Sequence, residues 1–253
     1  MIEIPTGLPA EIVPLSWLLG VWEGTGVLSY PVGDERVERE FRQRVSFSHD
    51  GQSYLNYSSQ AWILGGEPAA PGIVGFADSA ANAGSSDFES ADAETSDAES
   101  ADAVNLDSVD PDAADPSETV AEILPLAAET GYWRLHRPLT PGDAGPAMLP
   151  ARADAPYTDA ESVETLRNDA GGFDIQASII HPDGVSELYL GQILGPRIDL
   201  ATDAVLRAAG SKDYTAATRM YGLVDNHLLW AWDIAALGQE LTSHASARLA
   251  KVD

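Results

Sequence analysis

The chain reads as all-β: about ten antiparallel strands closed into a barrel, with a short N-terminal helical cap and two long loop insertions. Three observations predict this. Segments of alternating apolar and polar residues recur from residue 20 to the C-terminal end, most of them separated by turn signals such as Asp50-Gly51 and Asp183-Gly184. The run Gly20-Val21-Trp22-Glu23-Gly24-Thr25-Gly26 sets a Trp among glycines in extended chain. Glycines weaken a strand unless the backbone bends sharply or approaches something closely, which suits a first strand curling over a Trp that plugs one end. Finally, 253 residues of which 44% are hydrophobic can fill one sizeable core.

Taken in order, residues 10–19 (AEIVPLSWLL) form a helical turn over one barrel end, and Gly20 opens the first strand. Glu38 to Ser48 alternates, with Phe41, Val45 and Phe47 on one side and charges largely on the other. His49-Asp50-Gly51 reverses the chain, and Ser53 to Leu64 returns as a second long strand. Residues 77–122 break the pattern. They are Ala, Ser, Asp and Glu, hold 14 of the 40 acidic residues and contain no Lys or Arg. Such a segment buries too little apolar surface to offset its ordering entropy, so a disordered acidic insertion is expected. Strand pattern resumes at Ile123–Leu126 and Glu129–Arg134, then stops again over 139–169, which is rich in Pro, Ala, Asp and Gly. Phe173–Ile180, the turn His181-Pro182-Asp183-Gly184 and Val185–Leu194 make a hairpin. Arg197–Thr202, Tyr214–Leu223 and Leu228–Ala235 follow, the last two joined at Asp225-Asn226, and His244–Val252 closes the chain. Strand pattern on either side of both loops belongs to one meander, so 1–253 is expected to be a single domain with the loops inserted.

Composition excludes several chemistries. The absence of cysteine rules out disulfides, zinc–thiolate and iron–sulfur sites and cysteine nucleophiles. The formal charge of −26 leaves no basic face for phosphate backbones and disfavours anionic membrane surfaces, so neither nucleic acid nor membrane is an expected partner. No run of about eighteen apolar residues occurs, and residues 1–14 lack a basic segment followed by an apolar one, which makes the cytoplasm the expected location. There is no Gly-x-Ser-x-Gly elbow, phosphate-binding Gly-x-x-x-x-Gly-Lys loop or His-Glu-x-x-His helix. Of the histidines, His49 and His181 lie in turns, His136 at a loop edge, His227 just after a turn and His244 near the C-terminal end. By pattern alone none is marked as a ligand.

A set of blocks in fixed order carries more information. GVWEGTG (20–26), YLNYSSQAW (54–62), AETGYWR (128–134), HPDG (181–184), ELYLG (187–191), SKDYTAATRMY (211–221) and LGQELTSHASARLAKV (237–252) together resemble the nitrobindin family. These are ferric haem β-barrels of lipocalin or fatty-acid-binding-protein-like architecture, also described as peroxynitrite isomerases. Gly20, Trp22, Gly24 and Gly26 match the family's Gly-x-Trp-x-Gly-x-Gly motif at every fixed position. The two loops have no counterpart in typical members.

The resemblance implies one haem b per subunit, isomerisation of peroxynitrite to nitrate at ferric iron, and nitric oxide binding in the ferrous state. His244 matches the family's proximal axial ligand to iron and is thereby the catalytic and metal-ligating candidate; its second-shell acceptor is not identified by sequence. Lys212 matches a lysine that contacts a haem propionate, and Thr25 is expected to line the same pocket. No distal acid or base is apparent, so an apolar, open ligand face is expected. The implied partners are small molecules, peroxynitrite and nitric oxide, and a homodimer is allowed. The competing reading is a haem-free carrier of a fatty acid or other small apolar ligand, in which a buried Arg219 would meet the ligand's carboxylate and His244 would have no role.

Overall fold

The computed structural model describes residues 7–32, 35–64, 123–236 and 238–252. The acidic insertion expected over 77–122 lies outside the described residues. The described chain begins with a 3-10 helix, Ala10–Leu18, and continues through β1 (Gly20–Val32), β2 (Glu35–Ser48), β3 (Leu55–Leu64) and β4 (Ile123–Leu135). A one-turn helix, α1 (Ala160–Glu164), sits within the second loop. Then come β5 (Phe173–Ile180), β6 (Val185–Leu194), β7 (Arg197–Arg207), β8 (Tyr214–Val224), β9 (His227–Ala236) and β10 (Thr242–Val252). Each strand pairs with the next, and β1 pairs with β10, closing a ten-stranded antiparallel barrel. None of the described helices is long and apolar enough to cross a membrane.

Closure explains the glycine motif. β10 crosses β1 with Gly24 opposite Leu249 and Gly26 opposite Ala247. A Cβ on Gly24 would strike the Arg248 carbonyl, and one on Gly26 would strike the Ser246 carbonyl and the Phe41 ring. Only residues without a Cβ let the last strand come this close to the first, so the motif is a seam that sets the path of β10.

One end is shut. Ile12, Leu15 and Leu18 of the 3-10 helix are completely buried, and Trp22 beneath them donates its indole N–H to the Leu18 carbonyl at 2.7 Å. Arg137, just past β4, binds Glu11 of the helix at 2.7 and 2.9 Å and Asp143 of the second loop at 2.8 and 2.7 Å, with its guanidinium over the Tyr157 ring. These partners stabilise the cation and hold Asp143 below the usual carboxylate range. The second loop is thus partly built structure tied to the helical cap, a latch that its Pro- and Ala-rich composition conceals. Asp159 caps α1 by accepting from the Ser162 N–H at 2.8 Å. Above the plug, Phe47, Trp133, Tyr57 and Tyr221 pack as an aromatic stack with ring centroids 5.1–5.8 Å apart.

Candidate functional site

The helix bonds Trp22, early in β1, and Arg137, just past the end of β4, whereas Leu28, late in β1, and Leu126, early in β4, line a cavity of about 250 Å³. The cavity therefore occupies the end of the barrel away from the plug.

His244 reaches this cavity because β10 breaks its own alternation. Ala245, Ala247 and Leu249 are buried, while Ser246, Arg248 and Ala250 face out. By parity His244 belongs with the outward set. Instead the pairing with β9 shifts between Ser243, opposite Asp233, and Ala245, opposite Trp232, so His244 is an extra residue in a β-bulge. Bulges re-aim side chains, and here the bulge puts the imidazole beside Ala245 on the cavity wall. Arg36 of β2 spans the distortion, donating to Ser29 Oγ of β1 at 2.5 Å and to the Ser243 carbonyl of β10 at 2.6 Å.

The imidazole is kept neutral. Burial is the main cause of its lowered pKa, and the nearby Arg36 charge adds to it, together outweighing a hydrogen bond to the Ser29 backbone carbonyl that favours the cation. Donating one ring N–H to Ser29 fixes the tautomer and leaves the other nitrogen with a lone pair. The Ser29 carbonyl is thus the group that orients the His244 ring. Only strand pairing reveals it, since Ser29 and His244 lie just past Leu28 and Ala245, the last pair of the β1–β10 seam. Trp232 stands edge-on to His244, with ring centroids 5.6 Å apart.

Beyond Trp232, part of the otherwise chiefly apolar cavity wall is polar. Arg219 grips Glu129 through two hydrogen bonds of 2.9 and 2.8 Å and reaches Glu187 at 3.4 Å and the Tyr189 hydroxyl at 3.0 Å. Its guanidinium lies 4.2 Å from the centre of the Trp232 ring. Tyr57 donates to Glu129 at 2.7 Å, Tyr189 donates to Glu187 at 2.5 Å, and Tyr214 also donates to Glu187. His181 Nε2 lies 2.7 Å from Glu187, and its ring stacks on Trp232 within 14° of parallel. Burial alone would raise the Glu129 carboxyl, but the Arg219 charge and hydrogen bonds bring it down to about 2. Burial likewise opposes charge on His181. The Glu187 hydrogen bond and the Glu129 and Glu187 charges outweigh it, and its pKa is raised.

The sequence-derived candidates separate clearly. His244 lies on the cavity, and Gly20, Trp22, Gly24 and Gly26 lie along the seam and plug rather than the cavity. Thr25 points to the outer face, where it is exposed and lines a groove with Glu23, Arg42 and Trp62. Lys212 is exposed in the turn before β8. That turn docks on the cavity rim, because Ser211 Oγ donates to the carbonyl of Asp183, a cavity residue, at 2.9 Å. His49, His136 and His227 are tied into turns or strand edges by bonds to Gly51, Gln176 and Asp225. The sequence missed His181 and Glu129 as cavity groups and Glu187 as the buried partner behind them. Their signal was present, since each falls inside a block recognised for its resemblance.

The cavity suits a haem on three counts. It offers a neutral imidazole with one nitrogen committed to a backbone acceptor. Its lining is chiefly apolar and aromatic, including Leu28, Phe41, Val45, Trp230 and Ala245. The Trp232 indole N–H is buried without a hydrogen-bond partner among the described residues, as at a site that a further group completes. By contrast, Arg219 is already neutralised by Glu129, which removes the free cation that a fatty-acid carboxylate needs.

Residues 11–251 match the family described as "THAP4-like, heme-binding beta-barrel domain". The chain is 56% identical over 253 residues to a protein named "Peroxynitrite isomerase" from Leifsonia xyli subsp. xyli, covering 100% of both chains. It is 52% identical to one of the same name from Clavibacter michiganensis subsp. michiganensis, again over 100% of both. A crystal structure of Rv2717c from M. tuberculosis superposes with a TM-score of 0.56 at 21% identity, over 97% of this chain and 99% of the other, and shares the barrel fold.

Proposed function

The chain belongs to the THAP4-like, heme-binding β-barrel family, and from that premise we infer that it is a haem protein that isomerises peroxynitrite to nitrate. The observation that carries this reading is His244, turned into the cavity by a bulge and held neutral with one nitrogen spare. His244 is the residue that would hold the haem iron, with Ser29 orienting its ring and Arg36 tying β1 to β10 beside it. When bound, the ferric haem supplies the iron at which the peroxynitrite skeleton rearranges. The protein's part is to seat that group, to wall off water with Phe41, Trp230 and Trp232, and to keep the opposing carboxylates Glu129 and Glu187 neutralised by Arg219 and His181.

Lys212 supplies a cation for a haem propionate, a role supported by the docking of its turn on the cavity rim. The group is one haem b per subunit. In the ferrous form this haem would bind nitric oxide, and the protein works in the cytoplasm on small molecules. Thr25 has no part in this reading, because its side chain is on the outside.

The test is a haemin titration followed by absorption spectroscopy. The wild-type protein is expected to give a strong Soret band with one equivalent of haemin, and His244→Ala to lose that band while keeping its far-UV circular dichroism. Equal Soret bands in both proteins would overturn the assignment of His244. A wild-type protein that takes up no haemin would leave the apolar carrier as the better reading.

A further inference from the structure

The polar wall contains one donor that the fold does not use. His181 Nε2 is committed to Glu187 at 2.7 Å, but Nδ1 has no hydrogen-bond partner among the described residues. The nearest carboxylate oxygen to it, Glu129 Oε1, is 3.9 Å away and already accepts from Arg219 at 2.8 Å. Nor is Nδ1 sealed off. The buried side-chain nitrogens without partners among the described residues are those of Trp17, Trp133, Arg134 and Trp232, and His181 is not one of them. The ring cannot swing away to find another acceptor, because it is stacked on Trp232 and pinned at Nε2.

We propose that His181 Nδ1–H is the anion-recognising donor of this cavity, hydrogen-bonding an oxygen of a small nitrogen oxyanion such as peroxynitrite, nitrite or nitrate. The inference deepens the function proposed above and rests on it for the identity of the anion. Its chemistry follows from charge. Glu129 and Glu187 carry two negative charges and Arg219 one positive, so the wall is balanced with His181 as an imidazolium, in which both ring nitrogens carry protons. The raised pKa agrees with that state. One N–H then satisfies Glu187 and the other is offered to the cavity. Asp183 also lines the cavity, but its Oδ1 accepts from the Val185 N–H at 3.3 Å, which ties it into its own turn. In a chain of formal charge −26, an inward-facing cationic donor is what an anionic substrate needs once past the acidic surface.

Three proteins test this: wild type, His181→Phe, which removes the donor, and His181→Gln, which keeps an N–H of neutral charge. Each is loaded with haemin, and nitrite binding to the ferric form and carbon monoxide binding to the ferrous form are titrated by absorption. His181→Phe is expected to weaken nitrite by about tenfold to a hundredfold, the worth of one hydrogen bond to a charged group. His181→Gln should fall between the two, while carbon monoxide affinity and haem content stay unchanged in all three. A merely structural His181 would shift both ligands together, and that result, or equal nitrite affinities, overturns the inference while leaving the haem assignment intact. If the protein takes up no haemin, the haem reading fails on its own. His181 is then judged in the same protein by nitrogen NMR: a saturable shift of its Nδ1 signal on adding nitrate sustains the donor role, and no shift rejects it.

Discussion

The two ends of the barrel are built from the same residue types yet differ in what their polar groups face. At the shut end the main polar contacts of the plug close within the protein, since Trp22 finds the Leu18 carbonyl and Arg137 finds Glu11 and Asp143, while the Trp17 and Trp133 indole N–H groups have no partner among the described residues. At the cavity end the matching is incomplete too. Trp232 has a buried N–H without an acceptor among the described residues, His181 has a spare ring nitrogen, and His244 is turned inward by a bulge with a lone pair to offer. Leaving a buried donor unpaired costs roughly 1–3 kcal/mol; what sets the cavity end apart is that Trp232, His181 and His244 border a space that a ligand can fill, whereas Trp17 and Trp133 do not. The comparison therefore assigns stability to one end and chemistry to the other.

The largest effect should come from crossing those assignments. Trp22 is 1% exposed and supports the helical plug, so Trp22→Ala is expected to cost about 3–5 kcal/mol, read as a lowered urea midpoint. His244→Ala should change the same midpoint of the haem-free protein by less than about 1 kcal/mol, because the half-buried ring forms no part of the plug. If the two substitutions destabilised equally, the division of labour between the ends would be wrong.

A smaller effect sharpens the picture of the cavity end. Arg36 is exposed and touches neither the plug nor the cavity lining, yet its hydrogen bonds to Ser29 and Ser243 fix the strands flanking His244. Arg36→Ala is expected to lower haemin affinity about tenfold, at the low end of what residues that orient metal ligands contribute. Arg36→Lys should recover only part of this, since a single ammonium cannot reproduce the forked geometry. Unchanged affinity in Arg36→Ala would mean that the bulge holds its shape unaided.

The legibility of these features in the sequence follows their range along the chain. The strands were readable because alternation and turn residues are local, and the Trp22 plug because glycine spacing around a Trp is local too. His244 could be found only by resemblance, since its parity in HASARLAKV points it outward and the bulge that reverses it is set by pairing with β9. The polar wall was the least legible part. Glu129, His181, Glu187 and Arg219 come from different strands or turns and meet only once the barrel closes, and abundant acids hide the two that matter. The Arg137 latch was missed for the same reason, because Glu11 and Arg137 are 126 residues apart.

The smallest effect is a pH dependence confined to the cavity end. His181 has a pKa raised above 6.5, with Glu187, Glu129 and Arg219 as the charged groups facing it. A group that binds its proton more tightly when folded adds stability that is complete below pH 6.5 and fades as pH rises through the raised value. Glu129, lowered from 4.5 to about 2, acts in the other direction: its contribution is complete above pH 4.5 and is lost as pH falls toward 2. His244, with its pKa lowered, opposes His181 by favouring the folded state at higher pH. The His181 contribution is isolated by subtracting the urea-unfolding free energies of His181→Gln from those of the haem-free wild-type protein at pH 5 through 9. The difference should be greatest at the acid end and shrink steadily above pH 6.5. A difference that grew with pH would mean that His181 folds as the neutral ring, leaving Glu187 unneutralised and Nδ1 an acceptor rather than a donor.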